Sequence, residues 1–222
     1  FLLAEYVYLS DEERDLYSDM NEESLITQWQ YATDQTLTDS NAKEITMRFN
    51  HPVQCLLFAG RLQSNMNDHR WGEYEGPVDP LSVSASKPNG AALYWLKEAQ
   101  VKFNNNPRTC VHGPEFYHQL VPSLAADRVP DSHFYIYSFA LASPTSSQAS
   151  GSANFSRLDV ATLTVTPHGH LFADQTAFGG LNGTAGSGAA RMASGQKVYV
   201  EIAASNLNIF RYESGMGGPG YV

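Results

Sequence analysis

Apolar residues in this chain return at every second position, not every third or fourth. Ile45, Met47 and Phe49 alternate with Glu44, Thr46 and Arg48. Ala161, Leu163 and Val165 alternate with Thr162, Thr164 and Thr166, and Val198, Val200 and Ile202 with Lys197, Tyr199 and Glu201. Successive side chains on a strand point to opposite faces, so this period marks strands with one buried and one wet face. Leu25, Thr27, Trp29 and Tyr31 share one face of a further such stretch. Val53 to Ala59 is a mostly apolar run, and Phe134 to Leu141 a continuous apolar and aromatic one, as expected of a strand covered on both sides. Phe1 to Leu9, rich in aromatic and branched residues, reads as the first strand and Leu207 to Tyr212 as the last.

Helix signals are sparse. Ser10 stands three residues before Glu13, the pattern of a reciprocal capping box. Asp11 and Glu12 then occupy a first turn, where the helix dipole favours negative charge. The acidic cluster therefore reads as a solvated helix start and not as an active site. Two stretches read as long loop insertions. Gln63 to Asn89 carries Pro77, Pro80 and Pro88, and Ala173 to Gly195 carries Gly179, Gly180, Gly183, Gly186 and Gly188. Many short strands, turn-rich loops and almost no helix predict an all-β fold, an antiparallel β-sandwich of jelly-roll type with one or two short helices.

A chain of 222 residues suits one large domain over 1–222 with insertions near 63–89 and 173–195. Such a chain buries roughly 70–75% of its unfolded surface without a disulfide or metal staple. Its formal net charge is −9, so it gains nothing from the phosphate neutralisation that drives nucleic-acid binding. No segment reaches the roughly 18 consecutive apolar residues of a membrane span. The first residues lack the basic flank and small-residue cleavage site of a signal peptide. Phe1 in place of an initiator methionine predicts that the chain begins inside a longer protein. Cys55 and Cys110 form no CxxC pair, so both are expected as buried free thiols, with a disulfide left open by counting alone.

Motifs for chemistry fail one by one. GLNGTAGSGAAR looks like a phosphate cradle, but Gly188 is followed by Ala189 and Ala190. A P-loop needs Lys and then Ser or Thr at those positions. His168 and His170 form an HxH pair, yet Pro167 and Gly169 predict a turn and no third ligand is near in sequence. His112 and His118 are spaced too loosely to add to it. No G-x-S-x-G elbow occurs. Catalytic, cofactor and metal sites are all expected to be absent. Asn154-Phe155-Ser156 and Asn182-Gly183-Thr184 fit the glycosylation sequon, and the second lies in a predicted exposed loop.

Three segments carry a resemblance. NLNIFRYESGMGGPGY, from Asn206 to Tyr221, resembles the terminal motif of major capsid proteins of nucleocytoplasmic large DNA viruses. YIYSFAL, from Tyr135 to Leu141, followed by GSANFSRLD, from Gly151 to Asp159, is similar to that family's Tyr-Ser-Phe-Ala-Leu and Asn-Phe-Ser-Arg-Ile-Asp stretches. DEER, from Asp11 to Arg14, and FNHPV, from Phe49 to Val53, resemble the start of its second jelly roll. The segments stand in the family's order. The chain departs from the family at SPTSSQASGSA, where an acidic, Pro-rich link is usual, and in the two long loops.

The resemblance implies the second jelly roll of a tandem pair, in a subunit that trimerises into pseudo-hexagonal capsomers. Its partners would be copies of itself, neighbouring capsomers and minor capsid proteins, and its place the icosahedral shell of the virion. No enzyme activity, nucleic-acid binding or membrane insertion is implied. Asn154, Ser156 and their neighbours are then expected to close a turn by side-chain to backbone hydrogen bonds. Gly215, Gly217 and Gly218 are expected in a turn that uses positive φ. Arg157 and Arg211 are each expected to pair with a carboxylate, Asp159 being the local candidate. The rival reading is a carbohydrate-binding jelly roll in which aromatics of Arg70-Trp71-Gly72-Glu73-Tyr74 stack on sugars.

Overall fold

The computed structural model describes residues 3–32, 35–74, 76, 94–126, 128–142, 148–172, 197–213 and 215–220. The chain divides into two compact units, residues 29–206 on the one hand and residues 1–28 with 207–222 on the other. Strands β1 (Glu22–Tyr31) and β10 (Val198–Glu213) contribute residues to both.

The larger unit is a sandwich. One of its sheets is built on β4 (Pro52–Leu62), which pairs antiparallel with β10 on one side and β7 (Phe134–Ser138) on the other. The short strands β2 (Gln35–Leu37) and β8 (Ala153–Asn154) attach to β10 and β4. The second sheet has the order β3 (Lys43–Met47), β9 (Ala161–Pro167), β5 (Leu96–Phe103) and β6 (Asn106–Pro107), all antiparallel. In chain order β3, β4, β5, β7, β9 and β10 pass alternately from one sheet to the other. That alternation winds the chain around a shared core and makes the sandwich a jelly roll.

The period-two residues of β3, β9 and β10 do what their spacing demands, whereas Leu25, Trp29 and Tyr31 of β1 are exposed and it is Ile26, Gln28 and Gln30 that are half-buried. Ile45, Met47, Leu163, Val165, Val198, Val200 and Ile202 are all buried in the core. They meet Leu56, Phe58 and Leu62 of β4 and Ala99 and Val101 of β5. Each such aliphatic or aromatic side chain contributes about 1.5–3 kcal/mol relative to exposure. Trp95, fully buried, lies edge-on to Tyr135 and fills the space above Gly60, which has no Cβ to obstruct it.

One side of the sandwich is closed by helix. A π-helical turn (Phe116–Leu120) leads into α3 (Val121–Ala125). Tyr117 from the turn donates its hydroxyl to the carbonyl of Ala99 at 3.0 Å and sets its ring edge-on against Phe58. A further short helix, α2 (Gln63–Asn67), opens the stretch expected as a loop from Gln63. Residues 75 and 77–93 lie outside the described residues, as does all of 173–195.

The smaller unit holds α1 (Asp11–Asp19), the first residues of β1, the last of β10, and β11 (Met216–Pro219) paired to β10. The capping box is present in full. Glu13 N–H donates to Ser10 Oγ, and Glu13 Oε2 accepts from Ser10 N–H at 3.0 Å. The bonds that Ser10 donates to it, from its backbone N–H and its hydroxyl, hold the Glu13 carboxyl below its ordinary range.

The structure departs from the sequence expectations at four further places. Residues 3–9 form no strand: Leu3 is 89% exposed and Tyr8 92%, and no ladder partner stands beside them among the described residues. The strand from Phe134 stops at Ser138, where the Ser138 hydroxyl bonds the backbone of Ala140 and turns the chain. The separate last strand from Leu207 is the continuation of β10. Cys110 is exposed, so only Cys55 is a buried thiol; both are free.

Candidate functional site

The Asn154–Arg157 segment builds a compact polar constellation in the larger unit. Asn154 ends β8 and caps a 3₁₀ turn (Phe155–Arg157), accepting from Ser156 N–H at 3.1 Å. Ser156 Oγ accepts from His51 N–H at 2.8 Å, and the His51 carbonyl accepts from Phe155 N–H at 3.1 Å. His51 sits at φ 68°, a left-handed conformation these bonds hold in place. Between them Phe155, 3% exposed, drives its ring among Phe49, Phe103 and Phe139 at centroid distances of 6.0, 5.5 and 5.9 Å. The segment is a strap: polar bonds on the outside, an aromatic bolt through the middle. It also lines a surface hollow of about 300 Å³ with Arg48, Asn50 and Asp159.

Arg157 and Asp159 are both exposed and form no ion pair among the described residues. Arg211 has its carboxylate elsewhere: Nε and Nη2 both reach Glu23 Oε1, at 2.9 and 2.6 Å, tying β10 to β1 within the smaller unit. Asn208 donates to Gln28 Oε1 in the same unit at 3.1 Å. Of the turn glycines, Gly215 adopts φ +74°, and Gly217 leaves room for the rings of Phe210 and Tyr212. Ser214 and Tyr221 lie outside the described residues.

The remaining candidates separate in space. His168 precedes a 3₁₀ turn (Gly169–Leu171) that contains His170, and His168 N–H donates to the Trp95 carbonyl. The His170 side chain lies outside the described residues, as does the sequon at Asn182. His112 stacks on Phe116 at 3.9 Å, whereas His118 bonds the Phe134 carbonyl. Among the described residues no three His, Cys, Asp or Glu side chains converge as a metal would require. Trp71 is half-exposed beside His69, but Tyr74 turns away to pack on Phe134 at 4.4 Å, under the guanidinium of Arg61. Arg61 pairs in turn with Glu201 across β4 and β10. The two aromatics therefore form no common sugar-stacking platform.

Burial shifts several protons. The Cys55 thiol is pushed up to about 11 and the Tyr117 hydroxyl to about 12, both by desolvation, so each stays neutral in ordinary buffers. The pairing that spacing alone did not single out is that of His118 with His133, 7% and 9% exposed, with ring centroids 5.5 Å apart. They lie fifteen residues apart in sequence, with no motif to announce them.

Residues 13–218 match the family of large eukaryotic DNA virus major capsid proteins. The major capsid protein of Paramecium bursaria Chlorella virus 1 is 27% identical over 98% of this chain and 53% of its own length. That of Frog virus 3 is 29% identical over 95% of this chain and 44% of its own. The chain thus spans about half the length of the curated relatives it matches. A chain of the PBCV-1 virus capsid superimposes over 98% of this one with TM-score 0.70 at 26% identity, covering 55% of that chain. The Faustovirus major capsid protein shares the fold alone, with TM-score 0.61 at 14% identity over 91% of this chain and 36% of its own.

Proposed function

The chain belongs to the major capsid protein family of large eukaryotic DNA viruses, and we propose that it is the second of two tandem jelly rolls in a shell-building subunit. The observation that carries this reading is the match over residues 13–218 of 222, joined to a coverage of only about half of each relative. The alternating two-sheet sandwich agrees with it. In this reading three copies of the full-length polypeptide form a pseudo-hexagonal capsomer. Capsomers then tile, with minor capsid proteins, into the icosahedral shell of the virion.

The role is structural and not catalytic. Its chemistry is that of locking a backbone. The Phe155 strap fixes the exit from β8, and the Arg211–Glu23 pair fixes the C-terminal hairpin to β1. A net charge of −9 disfavours contact with the packaged nucleic acid through this half of the subunit. The test is the solution mass of the full-length polypeptide by light scattering. A trimer is expected, and a monomer at every concentration would overturn the reading.

A further inference from the structure

We propose that His133 and His118 form an acid-operated latch that holds the helical cover, residues 116–125, against β7. The latch lies wholly within the larger unit and does not depend on the shell-building role. His133 stands just before β7 and accepts a hydrogen bond at Nδ1 from the backbone N–H of Gly76, at 3.4 Å. His118, on the π-helical turn, places its own Nδ1 3.1 Å from the Phe134 carbonyl. A carbonyl only accepts, so His118 donates there and is fixed as the Nδ1–H tautomer. That bond, together with Tyr117 to Ala99, pins the cover to the sandwich.

Protonation undoes this arrangement for a geometric reason. A doubly protonated His133 would point an Nδ1–H at the Gly76 N–H, setting donor against donor. It would also place a cation beside His118, with the two residues only 9% and 7% exposed. Among the described residues, the groups facing His133 offer no compensation. Tyr94 lies over it at 4.7 Å, His118 at 5.5 Å, and Tyr135 follows it on β7. Glu115 precedes the π-helical turn and acts on Tyr135, while Arg128 and Asp131 are exposed on the approach to β7. Arg61, behind Tyr74 and Phe134, is already committed to Glu201. Neither imidazole has a carboxylate within ion-pair distance among the described residues. Burial and the neighbouring His118 accordingly lower His133 to about 4.

The sign follows. His133 is depressed by burial and by His118 when the cover is closed and rises towards its ordinary value as His118 moves away, so the closed state is favoured above about pH 6.5 and weakens as pH falls towards 4. Full relief of the shift would raise the opening constant of the cover about 30-fold between pH 7.5 and pH 5 and about 150-fold by pH 4, which sets the upper limit of the acid response.

Hydrogen–deuterium exchange of the full chain, corrected for the intrinsic pH dependence of exchange, reads that constant directly. We expect the acid-induced rise in amides of residues 116–125, with β9 in the opposite sheet unchanged. In His133→Gln, which keeps an acceptor for Gly76 but cannot titrate, the rise should fall below about 3-fold. An equal acid response in wild type and His133→Gln, or none in wild type, overturns the latch. If the variant does not fold, the ring resonances of His133 in the unaltered chain decide. Titration near 4 coupled to shifts in residues 116–125 supports the latch, and titration near 6.5 without them refutes it.

Discussion

Removing the aromatic bolt from the Asn154–Arg157 strap should destabilise the larger unit severely. Phe155 is 3% exposed and touches three other phenyl rings, all within 6.0 Å. Phe155→Ala deletes the ring but leaves the polar bonds of Asn154, Ser156 and His51 in place. Those bonds hold the backbone where it is, so the site collapses little and most of the cavity term is felt. The expected cost is about 3–5 kcal/mol, or roughly 10 °C in Tm for a chain of this size. Phe155→Leu, which refills most of the volume, should cost about 1 kcal/mol. Urea unfolding followed by tryptophan fluorescence measures both, because Trp95 is fully buried in the same core. The midpoint should fall with the slope unchanged. A loss below about 1 kcal/mol for Phe155→Ala would refute the bolt, since a ring this enclosed cannot be removed so cheaply.

Other outcomes follow from single sites. Gly60→Ala drives a Cβ into the Trp95 indole and should cost about 1–3 kcal/mol by calorimetry. Thiol labelling with a disulfide reagent at pH 8 should modify one cysteine per native chain, Cys110, and both in urea, because Cys55 is buried and its thiol stays protonated. The Cys55 value is raised on folding from about 9 to about 11. That contribution to stability is therefore complete below pH 9 and is lost as pH rises through 11, a loss Cys55→Ala should remove from the alkaline limb of a pH–stability curve. Arg211→Ala should cost under about 1 kcal/mol by urea unfolding, because its pair with Glu23 is half-exposed to solvent.

The parts of the fold that could be read from the sequence were those where one face is buried and the other wet. β3, β9 and the first half of β10 alternate cleanly, and α1 announces itself through Ser10 and Glu13. β5 was missed because its register shifts between Leu96 and Glu98. Leu96 faces the core at one parity and Ala99 and Val101 at the other, so the alternation breaks in mid-strand. The helical cover was missed because it begins as a π-turn and carries Pro122 in the first turn of α3, which erases the 3.6-residue period. Residues 3–9 misled in the opposite direction: their composition suits a strand, but a strand also needs a partner's backbone.

The site was legible to a different extent. The strap's polar bonds followed from the residue types in Asn154-Phe155-Ser156, since Asn and Ser close short turns through their own side chains. The pairing of Arg211 did not follow, because Glu23 lies 188 positions away and only β1 lying beside β10 brings it near. The histidine pair was silent for the same reason: its meaning rests on Gly76 and Tyr94, which tertiary structure alone places around it.

The most direct test of the shell-building role is an electron cryo-microscopy reconstruction of the assembled particle, with the full-length polypeptide traced in it. The account predicts that the two sheets of residues 29–206 fit three of six jelly-roll towers in each capsomer of the outer shell. Shell density that is fully occupied by other chains and excludes this sandwich would contradict it.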